Sequence, residues 1–250
     1  MTRLDLTAVR ALEERSFNAW PALQTVLFNG WLFRLAGGYT KRANSVNAAE
    51  PGASFKGVRD AAEAFYGRHG LPAVFRLSPL APPEADRTLA DAGYALFDPT
   101  QVACASLAAA ARHPSVSIST EPSPAWLEGI TAASGVNSRQ DGLHRAMVRS
   151  IALPCAFATL HEQGGAIGFG LAVLDRGVVG LYDIVVEPAR RGRGHGRALT
   201  CALMDWGREE GASSAYLQVR EQNEAARRLY AGLGFEDSYR YHYRVPGWHG

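Results

Sequence analysis

RRGRGHGRAL, Arg190 to Leu199, sets three glycines and four arginines between two very different segments. Before it runs the apolar strand pattern LYDIVV, Leu181 to Val186; after it, Leu199, Ala202, Leu203 and Trp206 recur at helical spacing. A glycine-rich loop at a helix start offers successive backbone N–H groups and the positive end of the helix dipole, which suits anionic oxygens. A nucleoside triphosphate loop needs Gly-Lys followed by Ser or Thr, and no lysine is present here. A dinucleotide fingerprint needs glycines at 192, 194 and 197, but position 197 is Arg. Base stacking would need aromatic residues among the arginines, and the loop has none, so nucleic acid is not the expected partner.

The rest of the chain makes this loop a local feature of an ordinary globular protein. Its 250 residues suffice for one large domain or two of usual size, with 47% hydrophobic and 20% charged residues. A net charge of +2 gives no overall attraction to nucleic acid or membrane. Cys104, Cys155 and Cys201 are odd in number and widely spaced, which fits a reducing compartment. The start, MTRLDLTAVRALEERSF, has no apolar leader region, and no run of about 18 apolar residues occurs. A cytoplasmic protein is therefore expected. No His or Cys grouping has ligand spacing, so no metal is expected.

In the first half, helices are expected over 6–20 and 58–69, and a third is begun by PLAPPEAD, Pro79 to Asp86, and ends at Gly93, with strands at 31–35, 73–77 and 94–107. The polar stretch GGYTKRANSVNAAEPG, Gly37 to Gly52, reads as a loop. AAAARHP, Ala108 to Pro114, reads as a junction, dividing the chain into domains 1–113 and 114–250. Beyond it, strands are expected at 115–119, 155–160, 167–174 and 179–186, and helices near 125–133 and 142–151. A hairpin turn is expected at Asp175 to Gly177. Past the loop come a helix (194–210), a strand (215–219), a helix through Ala226, Leu229 and Tyr230, and a last strand (239–245).

The spacing Arg191-x-x-Gly194-x-Gly196, between an apolar strand and an amphipathic helix, resembles the acetyl-CoA loop of the GNAT N-acetyltransferases. LQVREQNEAARRLYAGLGF, Leu217 to Phe235, resembles the second half of that signature through Asn223, Ala226, Leu229-Tyr230 and Gly234-Phe235. The resemblance covers Ser115 to about Val245. It implies a mixed α/β fold: a mostly antiparallel sheet with splayed central strands, flanked by helices. It also implies acetyl-CoA as co-substrate. Ile184, Val185 and Val186 would bond its pantetheine arm. The amides of Arg191, Gly192, Arg193, Gly194, His195, Gly196 and Arg197 would hold its pyrophosphate. Asn223, with Ala226 at the next helix start, would bond the arm or the splayed strand, and Tyr230 would stand beside the sulfur as acid. Ribosomal-protein acetylating relatives with a similar LxVRxxN stretch carry glutamate where this chain has Gln218, and glutamine cannot serve as the base. Either another group serves through water, with Asp183 in the strand before the loop as the candidate, or the acceptor amine arrives already neutral.

FNGWLFRLAGGYTKRANSVN, Phe28 to Asn47, is similar to a stretch of bacterial GNAT proteins with an extra N-terminal domain, some assigned to amino-acid N-acetylation. The first half would then be a degenerate GNAT-like domain in a tandem arrangement. Within its polar stretch, Arg42 and Asn44 are expected to hold a substrate carboxylate, since a guanidinium pairs with carboxylate in bidentate fashion. The expected activity is acetyl transfer from acetyl-CoA to a small amine or amino acid. The alternatives are a non-catalytic acyl-CoA sensor, a protein N-terminal or lysine acetyltransferase, and a nucleic-acid binder using the arginine loop.

Overall fold

The computed structural model of the chain describes residues 4–107 and 114–247. In chain order its elements are α1 (Leu6–Ala19), β1 (Gln24–Phe28), β2 (Trp31–Leu35), β3 (Val46–Ala48), α2 (Val58–Gly67), β4 (Phe75–Leu77), α3 (Pro83–Asp91) and β5 (Tyr94–Ser106). There follow β6 (Val116–Ser119), α4 (Pro124–Ser134), α5 (Ser138–Arg149), β7 (Cys155–Glu162), β8 (Gly165–Asp175) and β9 (Val178–Val186). The chain closes with α6 (His195–Glu209), β10 (Ser214–Arg220), α7 (Glu224–Ala231) and β11 (Glu236–Pro246). The expected junction over Ala108 to Pro114 falls, but for Pro114, outside the described residues.

The chain forms two compact units, one of residues 1–102, 220–222 and 238–250, the other of 103–219 and 223–237. In the first, strands lie in the order β1, β2, β3, β4, β11. β1 to β3 are antiparallel neighbours, β3 and β4 run parallel, and β11 is antiparallel to β4. Charge is buried here. Glu13 and Arg76, 1% and 2% exposed, form a bidentate pair, and the Tyr239 hydroxyl donates to the same carboxylate. Such a pair survives burial only because each partner satisfies the other. Arg34, 3% exposed, donates to the carbonyls of Phe17, Trp20 and Arg42.

In the second unit the order is β10, β9, β8, β7, β6. β6 to β9 form an antiparallel meander, and β9 and β10 are parallel. The β8–β9 hairpin turns on Arg176 and Gly177, both at positive φ (49° and 73°), as a two-residue hairpin loop requires. α6 crosses between the parallel strands and packs on β7, β8 and β9. It lies low on the sheet because β8 carries glycines beneath it. A Cβ at Gly168 would fall 3.0 Å from Leu199, and one at Gly170 would fall 2.9 Å from Leu203. Both leucines are fully buried, each contributing about 1.5–3 kcal/mol of apolar burial. This packing fixes the N-terminus of α6 against the ends of the central strands.

Candidate functional site

The site begins where β9 leaves β10. Their parallel register runs from Ser214 opposite Val178 to Leu217 opposite Leu181 and ends there, although β9 continues to Val186 and β10 to Arg220. On its other edge β9 bulges: Val185 pairs with Phe169 and Tyr182 with Leu171, so Asp183 and Ile184 face the single residue Gly170. A bulge bends its strand and re-aims a side chain. Asp183 takes the left-handed conformation this needs, at φ 50°, which aspartate tolerates better than most residues. The expected splay of the central strands is therefore present, and Ile184, Val185 and Val186 lie on the departing arm.

The chain then passes a short 3₁₀ turn, Pro188–Arg190, and reaches α6 through Gly192 and Gly194, at φ 76° and 84°. Gly194 caps the helix without a side-chain acceptor, and the first helical bond runs from Ala198 N to Gly194 O at 3.0 Å. The amides of His195, Gly196 and Arg197 thus have no acceptor within the helix, as at any helix start. A Cβ on Gly194 would meet no atom within 4 Å, so the space before these amides is open. Arg193, Gly194, His195 and Arg197 form one side of a cleft of about 500 Å³. Of the seven loop residues expected to present amides, Arg191 does something else. Its N–H donates to Pro188 O (3.4 Å) and its Nε to Val186 O (3.0 Å), so it braces the loop and occupies the Val186 carbonyl. Glu162, at the end of β7, has Arg190 at 2.9 Å and His195 at 3.7 Å, reaching both ends of the loop.

α7 is fastened beside this helix start. Arg197 Nη1 donates to Gly232 O at 3.0 Å, placing a cation at the C-terminal end of α7. Asn223 caps α7: its Oδ1 accepts from Ala226 N at 3.2 Å, so that amide is spent within the helix. Tyr230 packs with Ile184, Ala226 and Leu233 against the core of the unit, its ring 5.8 Å from that of Phe235. Burial pushes its phenol up to about 12, because the anion would lose its hydration.

Asp183 is not alone. Its Oδ2 lies 2.6 Å from His144 Nε2, on α5. Nothing in the sequence joins these residues, which stand 39 positions apart. The available signal was a histidine on the buried face of α5, beside Met147 and Val148. Gln218 is the first residue of β10 beyond its register with β9.

The two residues expected to bind a carboxylate belong to the first unit, where Asn44 has other work. Its Oδ1 accepts from Ala36 N and Gly38 N (2.8 and 2.9 Å), and its Nδ2 donates to Tyr39 O and Thr40 O (2.7 and 3.0 Å). An amide offers two acceptor and two donor positions, and all four are used on its own loop. Arg42 lies over the Trp20 ring, 5.1 Å from its centroid. Among the described residues no helix is long and apolar enough to cross a membrane, and no group of His, Cys, Asp and Glu could hold a metal ion.

Comparison with known proteins fits this geometry. Residues 7–244 match the family described as "Probable histone acetyltransferase Rv0428c C-terminal". The chain is 30% identical over 246 residues to the uncharacterized N-acetyltransferase YobR of Bacillus subtilis, covering 95% of this chain and 98% of that protein. A shorter stretch of 69 residues is 42% identical to the N-alpha-acetyltransferase RimI of Mycobacterium tuberculosis, covering 27% of this chain and 42% of that protein. A GCN5-related N-acetyltransferase from Kribbella flavida superposes with a TM-score of 0.70 at 15% identity, over 98% of this chain and 96% of that one. The chain belongs to this acetyltransferase family, and with it to the N-acetyltransferases of the GNAT superfamily.

Proposed function

We propose that the chain transfers an acetyl group from acetyl-CoA to the amine of a small molecule or amino acid. The observation that carries the proposal is the meeting of two features at one end of the second unit. β9 and β10 part after Leu181 and Leu217, and α6 begins with uncapped amides facing open space. Parted strands leave backbone groups for an amide-rich arm, and the helix start suits a pyrophosphate. Bound acetyl-CoA would supply the acetyl group as a thioester. The amides at 192–197 would hold its diphosphate, and the arm of β9 from Ile184 would line its pantetheine chain.

The remaining steps belong to the chain's own side chains. As the amine nitrogen bonds to the acetyl carbon and the carbon–sulfur bond breaks, one proton must leave nitrogen and one must reach sulfur. Asp183 takes the first. Tyr230, whose phenol keeps its proton across the working pH range, gives the second. Gln218 cannot serve as the base that glutamate provides in similar proteins, and a carboxylate on the bulge of β9 replaces that function. Asp183 therefore favours catalysis over a purely acyl-CoA-sensing role.

A screen of acetyl transfer over amino acids, polyamines, aminoglycosides and peptide N-termini tests the reading. Turnover with a free small amine supports it. Turnover restricted to peptide N-termini or protein lysines would assign a protein acceptor instead. Acetyl-CoA binding without transfer to any amine would leave only the sensor.

A further inference from the structure

His144 is 3% exposed, so it can touch neither acceptor nor solvent, yet its Nε2 faces the one carboxylate on the bulged arm of β9. A carboxylate only accepts hydrogen bonds, so Nε2 donates. The imidazole is held from several sides. Its ring is stacked on Trp126, with centroids 6.3 Å apart and planes 21° apart, and Trp126 is 2% exposed with its Nε1 bonded to Ala158 O at 3.0 Å. The helix beneath it is fixed at its start by a capping box between Asn137 and Gln140. It is joined to α4 by a hydrogen bond from Thr131 to Asp141, which Arg145 also binds at 2.8 Å. Asp183 is less buried than its partner, with a side chain 16% exposed against 4% for His144. Its Oδ2 is the oxygen that His144 takes, and Oδ1 stays outside that bond.

From this arrangement we propose that His144 is a positioning residue for acetyl transfer. It pins Oδ2 of Asp183 so that Oδ1 is presented to the acceptor amine. The inference rests on reading Asp183 as the group that takes the amine proton. During transfer an N–H bond of the amine breaks and an O–H bond forms at Oδ1, while Nε2–H keeps its bond to Oδ2. The proton then leaves Oδ1 for solvent, so histidine neither gains nor loses one. A flexible carboxylate would divide its time among rotamers, and orientation is a large share of what a base in a site contributes. The positive φ of Asp183 fits the same purpose, since a non-glycine residue held there is held by its surroundings.

The test uses the full chain, acetyl-CoA, and whichever amine of the screen is turned over fastest. His144→Phe keeps a ring against Trp126 and removes the donor; His144→Gln keeps an N–H donor at similar reach. The expected result for His144→Phe is a kcat at least tenfold lower, with the acetyl-CoA Kd within twofold of the original by calorimetry. His144→Gln recovers most of that loss. A full kcat in His144→Phe overturns the proposal. So does equal impairment of both variants accompanied by weakened acetyl-CoA binding, which marks a purely structural residue. Asp183→Asn separates this proposal from the reading beneath it. If that variant is as active as the original, the base assignment fails; if it is inactive while His144→Phe is normal, only the role of His144 fails.

Discussion

Tyr230 packs against the core of its unit, and the proposed function asks it also to hold a proton beside the reacting centre. Burial raises its pKa to about 12, which disfavours the phenolate. The hydroxyl is therefore a donor throughout the range in which amines are acetylated. Tyr230→Phe keeps the ring and removes only the hydroxyl. We expect kcat to fall by about 100-fold with KM for acetyl-CoA little changed, the loss typical of a missing general acid. Normal turnover in steady-state assays of that variant would leave Tyr230 a packing residue. Asp86 shows the opposite electrostatic case. The Arg244 hydrogen bond, with His242 also bonded to it, holds its carboxyl down at about 2. A depressed acid stabilises the folded state above its unfolded value of 3.8, and that contribution disappears as pH falls through about 2. In urea titrations at a series of pH values, the deficit of Asp86→Ala relative to the original chain should be constant above about pH 5. It should shrink toward pH 2; a deficit that persists there would place it elsewhere. Legibility in the sequence differs residue by residue. Asp183 could be proposed from the sequence because it stands in the strand before the loop. His144 could not, because its partner comes from a bulge that no local pattern announces.

At the scale of elements, the glycine loop before α6 makes the sharpest prediction. Gly194 holds φ 84°, and its missing Cβ leaves open space before the first amides of α6. Valine there would strain a left-handed position by about 1–3 kcal/mol and fill that space. CoA affinity should drop at least tenfold in Gly194→Val, read by calorimetry on protein whose circular dichroism is unchanged. Undiminished affinity would remove the pyrophosphate from this loop. Most elements were readable because their periodicity was strong, and α1, β2, β5, α6 and β10 lie within a residue or two of expectation. β1 and β3 were not, for different physical reasons. β1 is an edge strand exposed along nearly its whole length, so it has no buried face to produce alternation. Its only signal was Asn29-Gly30, a hairpin turn at φ 47° and 79°. β3 is the reverse: it is fully buried, yet lies within a stretch that looks polar. Ser45 and Asn47, 0% and 1% exposed, bond to one another, and Asn44 is spent on its own loop. Buried polar residues that bond to their own neighbourhood defeat any reading based on hydropathy.

At the scale of the whole molecule, the route of the chain matters more than any one contact. Residues 238–250 are part of the first unit, not of the unit that precedes them in sequence. β11 pairs with β4 and brings Tyr239 to Glu13, and Arg244 to both Asp86 and the carbonyl of Tyr94. Glu13→Gln would leave Arg76 a buried cation with a weakened partner, and loss of about 3–5 kcal/mol is expected in denaturant unfolding. A chain ending at Asp237 should lose the cooperative folding of the first unit, seen as fast amide exchange over residues 31–48. Slow exchange there in the shortened chain would show that β11 is dispensable. Nascent domains commonly fold in the order in which they leave the ribosome. Here the first hundred residues emerge early but must wait for β11 to be translated, with the edge of β4 uncovered until then. The first unit is begun long before its closing strand exists, so its exposure to chaperones and proteases is set by how quickly translation crosses the intervening unit.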